Sequence, residues 1–139
     1  MIEVKNVHKA FGDRMVLNDI SFVFVKATEG MSLKDKLFTR NWERIKQEGL
    51  RRGAYHFFRP TISAERQAAH FSRSVDLELG DFPPVLDVEV LDGVSKKELL
   101  IGVHAWLVHT EMEYGVKPII YTNQDFYNKY LRNAFENYP

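Results

Sequence analysis

The chain has no cysteine, no excess of either charge, no long hydrophobic run and no glycine-rich phosphate loop. Without cysteine there is no disulfide framework and no thiolate zinc site. Lys+Arg and Asp+Glu number 19 each, a formal net charge of zero. That balance removes the usual electrostatic argument for a nucleic acid or a membrane surface as partner. No apolar run reaches transmembrane length, and Met1-Ile2-Glu3-Val4-Lys5 lacks the basic-then-apolar order of a signal peptide. Export is therefore expected only by another route or through a leader not in this sequence. The five histidines show no ligand spacing, since His104 and His109 fall off one helical face. No metal and no cofactor are expected. No internal repeat or low-complexity segment occurs, and 139 residues suffice for one domain with a core but are short for a complete α/β barrel.

What is present centres on Phe82-Pro83-Pro84-Val85-Leu86-Asp87-Val88-Glu89-Val90. In an extended strand side chains i and i+2 share a face, so Asp87 and Glu89 are expected to point one way and Leu86, Val88 and Val90 the other. Buried strands normally avoid charge, and two acids on one inward face suggest a strand ending in a cleft. The bland alternative is a salt-bridged strand end beside a solvent-facing acid.

The rest of the chain alternates strand and helix. Residues 1–22 read as a hairpin, with Ile2, Val4 and Val7 on the first strand, a turn at Gly12-Asp13-Arg14 and a second strand from Met15. Ser21–Ala27 is a near-continuous apolar run, as in a buried parallel strand. Leu33, Leu37, Phe38, Trp42, Ile45 and Leu50 recur at helical spacing, and Trp42 and Trp106 read as packing. Gly53–Phe58 is a second strand, and Ser63 caps a helix to about Val75. Ser95 and Glu98 fit a capping box on a helix ending near Gly115. Lys117–Thr122 is a fourth strand, and Asn123 starts a last helix. Such alternation implies a parallel sheet with right-handed crossovers, and both a barrel and an open sheet fit it.

Four segments in order, FVFVKATEG (22–30), GAYHFFRP (53–60), PPVLDVE (83–89) and KPIIYT (117–122), together resemble glycoside hydrolase family 25, the lysozymes (N-acetylmuramidases) of bacteria and phages. The resemblance covers about residues 20–139. It implies an α/β fold, an incomplete TIM-like (β/α) barrel preceded by the N-terminal hairpin, with the site at the strands' C-terminal ends. Two departures stand out. The family's first strand carries Asp-x-Ser, whereas Asp19-Ile20-Ser21 here directly abuts the next strand, and the family's later strands, one with a further site aspartate, have no counterpart. The sequence thus reads as a central piece of a lysozyme behind a foreign leader. That leader, residues 1–22, resembles the start of an ABC transporter ATPase subunit. Since the Gly-Lys-Ser/Thr loop is missing, ATP chemistry has no seat and no nucleotide-binding role is carried over.

Glycoside cleavage needs a proton for the leaving oxygen and stabilisation of the anomeric cation. Glu89 is the candidate general acid, its carboxyl expected to be raised by apolar neighbours and by Asp87. Asp87, ionised, would stabilise the cation or orient the substrate's N-acetyl group. Strand positions i and i+2 lie about 6.6 Å apart, which favours retention over inversion. Tyr55 and Phe57 share a face opposite His56 and are candidate sugar contacts, with core packing the bland alternative. Tyr121 ends its strand at the same level. Lys26 reads as a snorkelling strand end, and the resemblance places it at the site mouth near Asp87, with Glu29 capping the next helix or holding Lys26. The expected substrate is the β-1,4 N-acetylmuramic acid–N-acetylglucosamine bond of peptidoglycan, cut at the cell wall. The rival reading is an inactive fragment or chimera that at most binds glycan weakly. Uncovered strand edges would also allow an edge-to-edge homodimer.

Overall fold

The computed structural model describes the backbone of residues 4–6, 9–11, 14–17 and 20–139, with side chains from residue 21 onward. Ile2, Val7, His8, Gly12, Asp13 and Asp19 lie outside the described residues. The elements run β1 Val4–Asn6, β2 Lys9–Phe11, β3 Arg14–Leu17, β4 Ile20–Glu29, β5 Leu33–Lys34, α1 Phe38–Gln47, β6 Arg51–Phe57 and α2 Ala64–Ser74. They continue as β7 Val85–Asp87, α3 Lys96–Tyr114, β8 Ile119–Tyr121 and α4 Gln124–Phe126, which runs into a π turn at Tyr127–Leu131.

The main sheet has the order β1-β4-β6-β7-β8, with parallel pairing from β4 through β8. Among the described residues it stays open rather than closing into a barrel. Two short strands line the outer edge of β4, β1 antiparallel to its start and β5 antiparallel to its end. Among the described residues β2 and β3 pair with each other, and Val4–Asn6 adds to the main sheet beside β4. Among the described residues no helix is long and apolar enough to cross a membrane.

One face of the sheet is sealed by helices. Val25, Ala27, Ala54, Leu86 and Val88 pack there against Phe38 and Trp42 of α1, Ala68 and Phe71 of α2, and Leu99, Val103, Trp106 and Leu107 of α3. Burial of that apolar area is the main force holding the layers together. The helix starts follow their caps. The Ser63 hydroxyl accepts from the Arg66 N–H, and Ser95 and Glu98 form the reciprocal capping box. Gly115, at φ 68°, ends α3 in the left-handed conformation that glycine adopts without a Cβ clash.

Two segments depart from the sequence pattern. The expected helix from Leu33 begins only at Phe38, because Leu33–Lys34 bonds to the end of β4 and the Asp35 carboxylate accepts the Leu37 N–H in an Asx turn. The acidic strand stops at Asp87, leaving Glu89 and Val90 beyond it. Val90 is half-buried and does not join Leu86 and Val88 in the core.

Candidate active site

The face of the sheet turned away from the helices carries the chemistry. Register fixes two rows across it. Lys26, Tyr55, Val85 and Ile119 stand side by side, and one step nearer the C-terminal rim stand Glu29, Phe57, Asp87 and Tyr121. Neighbouring strands lie about 4.8 Å apart, so each row is a continuous ledge of side chains. Below them Phe24 lies flat over Gly53, where any Cβ would meet its ring at 2.1 Å. A pocket of about 140 Å³ opens between these rows, lined by Phe24, Tyr55, Val85, Asp87, Ile119, Ile120 and Tyr121.

Asp87 is the buried acid of the pair, only 4% exposed. Its backbone is held from both sides. The Asp87 carbonyl accepts the Phe58 N–H at 2.9 Å, and the next N–H, of Val88, donates to the Tyr121 carbonyl at 2.9 Å. The Thr122 hydroxyl donates to the Val88 carbonyl at 2.6 Å. The Asp87 Oδ1 atom is buried with no hydrogen-bond partner. Burial, and then the nearby Glu89 charge, push its carboxyl up to about 6. A buried acceptor without a partner is costly in a fold, and the residue that carries this one lines the pocket.

Glu89 sits half-buried just past the end of β7, close enough to act on both Asp87 and Tyr55. Of the two acids, burial falls more heavily on Asp87. The strand's repeat also no longer sets the separation of the two acids, because Glu89 is outside the strand. Retention over inversion therefore does not follow from the strand repeat.

Tyr55 is 7% exposed, and burial followed by the charges of Asp87, Asp35, Glu89 and Glu29 raises its phenol to about 12. At neutral pH it is a hydroxyl donor among acids. Asp35, carried by the β5–α1 turn, was not singled out from sequence. It stood inside what looked like a helix, and only the turn brings it near Tyr55. Tyr121 is half-buried at the end of β8, opposite Asp87. His56 points the other way into the core, where Thr28 and Gln67 engage both ring nitrogens and Trp106 stacks on it. Burial lowers its pKa to about 4.

On the rim, Lys26 Nζ donates to Glu29 Oε2 at 2.5 Å and lies 5.3 Å from the Phe57 ring centre. Of the two sequence readings of Glu29, the structure has it holding Lys26. Arg59 donates to Glu29 Oε1 from Nε at 2.9 Å and from Nη2 at 2.6 Å, and reaches Asp92 from Nη1 at 3.3 Å. A bulge at Ala27 makes this possible. Lys26 pairs with Tyr55 but Thr28 already pairs with His56, so Glu29 lands on the site face.

A strand-end carboxylate pair with aromatic neighbours suits acid-assisted cleavage of a sugar bond. The Escherichia coli K12 protein YegX is 48% identical over 120 residues, covering 86% of this chain and 44% of its own length. Lysozyme M1 of Streptomyces globisporus is 30% identical over 119 residues, covering 78% of this chain and 40% of its own. A family 25 glycosyl hydrolase structure from Bacillus anthracis superposes with a TM-score of 0.81 at 33% identity, over 85% of this chain and 57% of that one. The chain thus spans under half the length of these curated relatives. The profile of Glycosyl hydrolases family 25 matches residues 8–139, nearly the whole sequence, and the chain belongs to that family.

Proposed function

We propose that the protein is a lysozyme-type glycosidase that hydrolyses the β-1,4 bond after N-acetylmuramic acid in peptidoglycan. The observation that carries the reading is the buried, unpartnered Asp87 oxygen facing a pocket beside Glu89. In this reading Glu89, the more accessible acid, protonates the leaving oxygen at the mouth. Asp87, ionised above about pH 6, faces the anomeric centre or holds the N-acetyl group that assists it. Tyr55, Phe57, Tyr121 and Lys26 line the sugar path. Family membership and the name of Lysozyme M1 support the substrate class.

Clearing of a bacterial cell-wall suspension tests this. Lysis by the parent that disappears in Glu89→Gln supports the enzyme. No clearing by either supports the inactive, at most glycan-binding, reading.

The raised Asp87 carboxyl favours one variant of the mechanism, in which Asp87 is the proton donor. An aryl glycoside with a good leaving group separates the two, because losing the acid then costs little. Rescue of Glu89→Gln supports the first assignment, and rescue of Asp87→Asn supports the second.

We also propose that the catalytic segment begins near residue 20 and that residues 1–22 are a leader resembling an ABC ATPase start. Edge-to-edge pairing of two chains completes the proposal, and gel filtration at the monomer position sinks that part.

A further inference from the structure

We propose that Glu29 is a positioning residue which, anchored by Arg59, draws the Lys26 ammonium away from Asp87 and so keeps an Asp87 oxygen open for substrate. The inference rests on the reading of Asp87 as a substrate-facing acid.

The geometry is a contest between two carboxylates for one cation. Glu29, Phe57 and Asp87 are successive members of one row, so the two acids flank the phenyl ring on neighbouring strands. Lys26 Nζ lies over that ring, 5.3 Å from its centre, and its charge is felt by Asp87. A lysine there has two carboxylates within reach of its flexible stem. It bonds to Glu29 at 2.5 Å, while Asp87 Oδ1 goes without a partner. What decides the contest is Arg59, whose planar fork fixes Glu29 Oε1 through two donors. Burial pushes the Glu29 carboxyl up, but the hydrogen bonds from Lys26 and Arg59 outweigh it and hold it below the usual range. Glu29 therefore stays charged wherever a glycosidase of this kind would work. The bulge at Ala27 is part of the device, since uninterrupted alternation would turn Glu29 into the helix face.

Among the described residues, the groups that face Asp87 are Lys26 from β4, Tyr55 from β6, Tyr121 from β8 and Glu89 beyond β7. Of these only Lys26 is a cation. With Glu29 neutralised, Lys26 is free to pair with Asp87, covering its open oxygen and favouring its ionised form.

The test is a carboxyl-carbon NMR titration of Asp87 in the full chain, compared for the parent, Glu29→Gln, Lys26→Met and the double variant. Glu29→Gln is expected to lower the Asp87 midpoint by about one pH unit or more, the effect of a cation brought within roughly 4–6 Å. In the Lys26→Met background, the same Glu29 change is expected to do far less, and Glu29→Asp to restore most of the parent midpoint. An unchanged or raised midpoint in Glu29→Gln, or an equal shift with Lys26 absent, overturns the proposal. The titration needs no turnover, so an inactive chain that shows the shift refutes the lysozyme reading and keeps this one. Where cell walls are cleared, the acid limb of the pH profile moves down with the midpoint and the clearing rate falls several-fold.

Discussion

Two buried charges sit at opposite ends of the sheet, and they are treated in opposite ways. Arg52, at the N-terminal end of β6, is 3% exposed and fully occupied. It donates to Asp81 from Nε at 2.9 Å and from Nη2 at 3.2 Å, to Glu78 at 3.1 Å and to the Trp42 carbonyl at 3.0 Å. Its guanidinium carbon lies 4.0 Å from the Trp42 ring centre. Asp87, at the C-terminal end of β7, is equally buried but keeps an oxygen without a partner. Burying a charge is tolerable when hydrogen bonds replace the lost water, and costly otherwise. The first site is therefore a fastening between β6 and the loop before β7. The second is a place where the fold gives up stability, the signature of a functional group.

The largest expected effect tests the fastening. Arg52→Ala leaves Asp81 without its partner, and breaking a buried pair from one side typically costs about 3–5 kcal/mol. At about 2–4 °C per kcal/mol for a domain of this size, thermal unfolding drops by on the order of 10 °C. Asp87→Asn is expected to do the reverse, with unchanged or higher thermal stability and wall clearing reduced about 10²–10³-fold. Should both variants lose stability equally, the two buried charges are alike and the contrast fails.

A smaller effect sharpens the same contrast through pH. His56, held down at about 4 against its ordinary 6.5, is charged in the unfolded chain before the folded one. Its contribution to stability is whole above about pH 6.5 and is lost as pH falls toward 4. Asp87, held up at about 6 against 3.8, binds its proton earlier in the folded state. Its penalty is absent below about pH 4 and grows as pH rises through 6. Each is worth about 3 kcal/mol, and over their shared window of about pH 4 to 6 they oppose one another. Removing the Asp87 titration exposes the His56 slope. The melting temperature of Asp87→Asn is thus expected to fall more steeply from pH 6 to pH 4 than that of the parent, and parallel slopes count against it.

The helix-covered side of the molecule was largely legible in the sequence. Caps and apolar spacing are local signals, so Ser63, the Ser95–Glu98 box, Gly115 and the inward run Leu99, Val103, Trp106 and Leu107 fall where expected. Period-two alternation likewise separates Tyr55 and Phe57 from His56. The rim was less legible because its geometry comes from breaks in periodicity. A single bulge reverses which of Thr28 and Glu29 meets the site, a short β5 strand replaces a turn of expected helix, and β7 ends before Glu89. Burial at the strand end depends on pairing with β6 and β8, so which acid is sealed could not be read from PPVLDVE alone.

The smallest effect comes from inside the fastening itself. Glu78 has two cationic partners, buried Arg52 and exposed Lys46, whose side chain keeps 57% of its surface in water. A long side chain held in one geometry at the surface loses rotamer entropy, and salt screens what attraction remains. Lys46→Met is therefore expected to move the melting temperature within experimental error in moderate salt, although its contact to Glu78 is very short. The two ion pairs of Glu78 are thus unequal, and burial decides which one matters. A Lys46→Met loss comparable to that of Arg52→Ala, persisting in high salt, means that the exposed pair also fastens the loop.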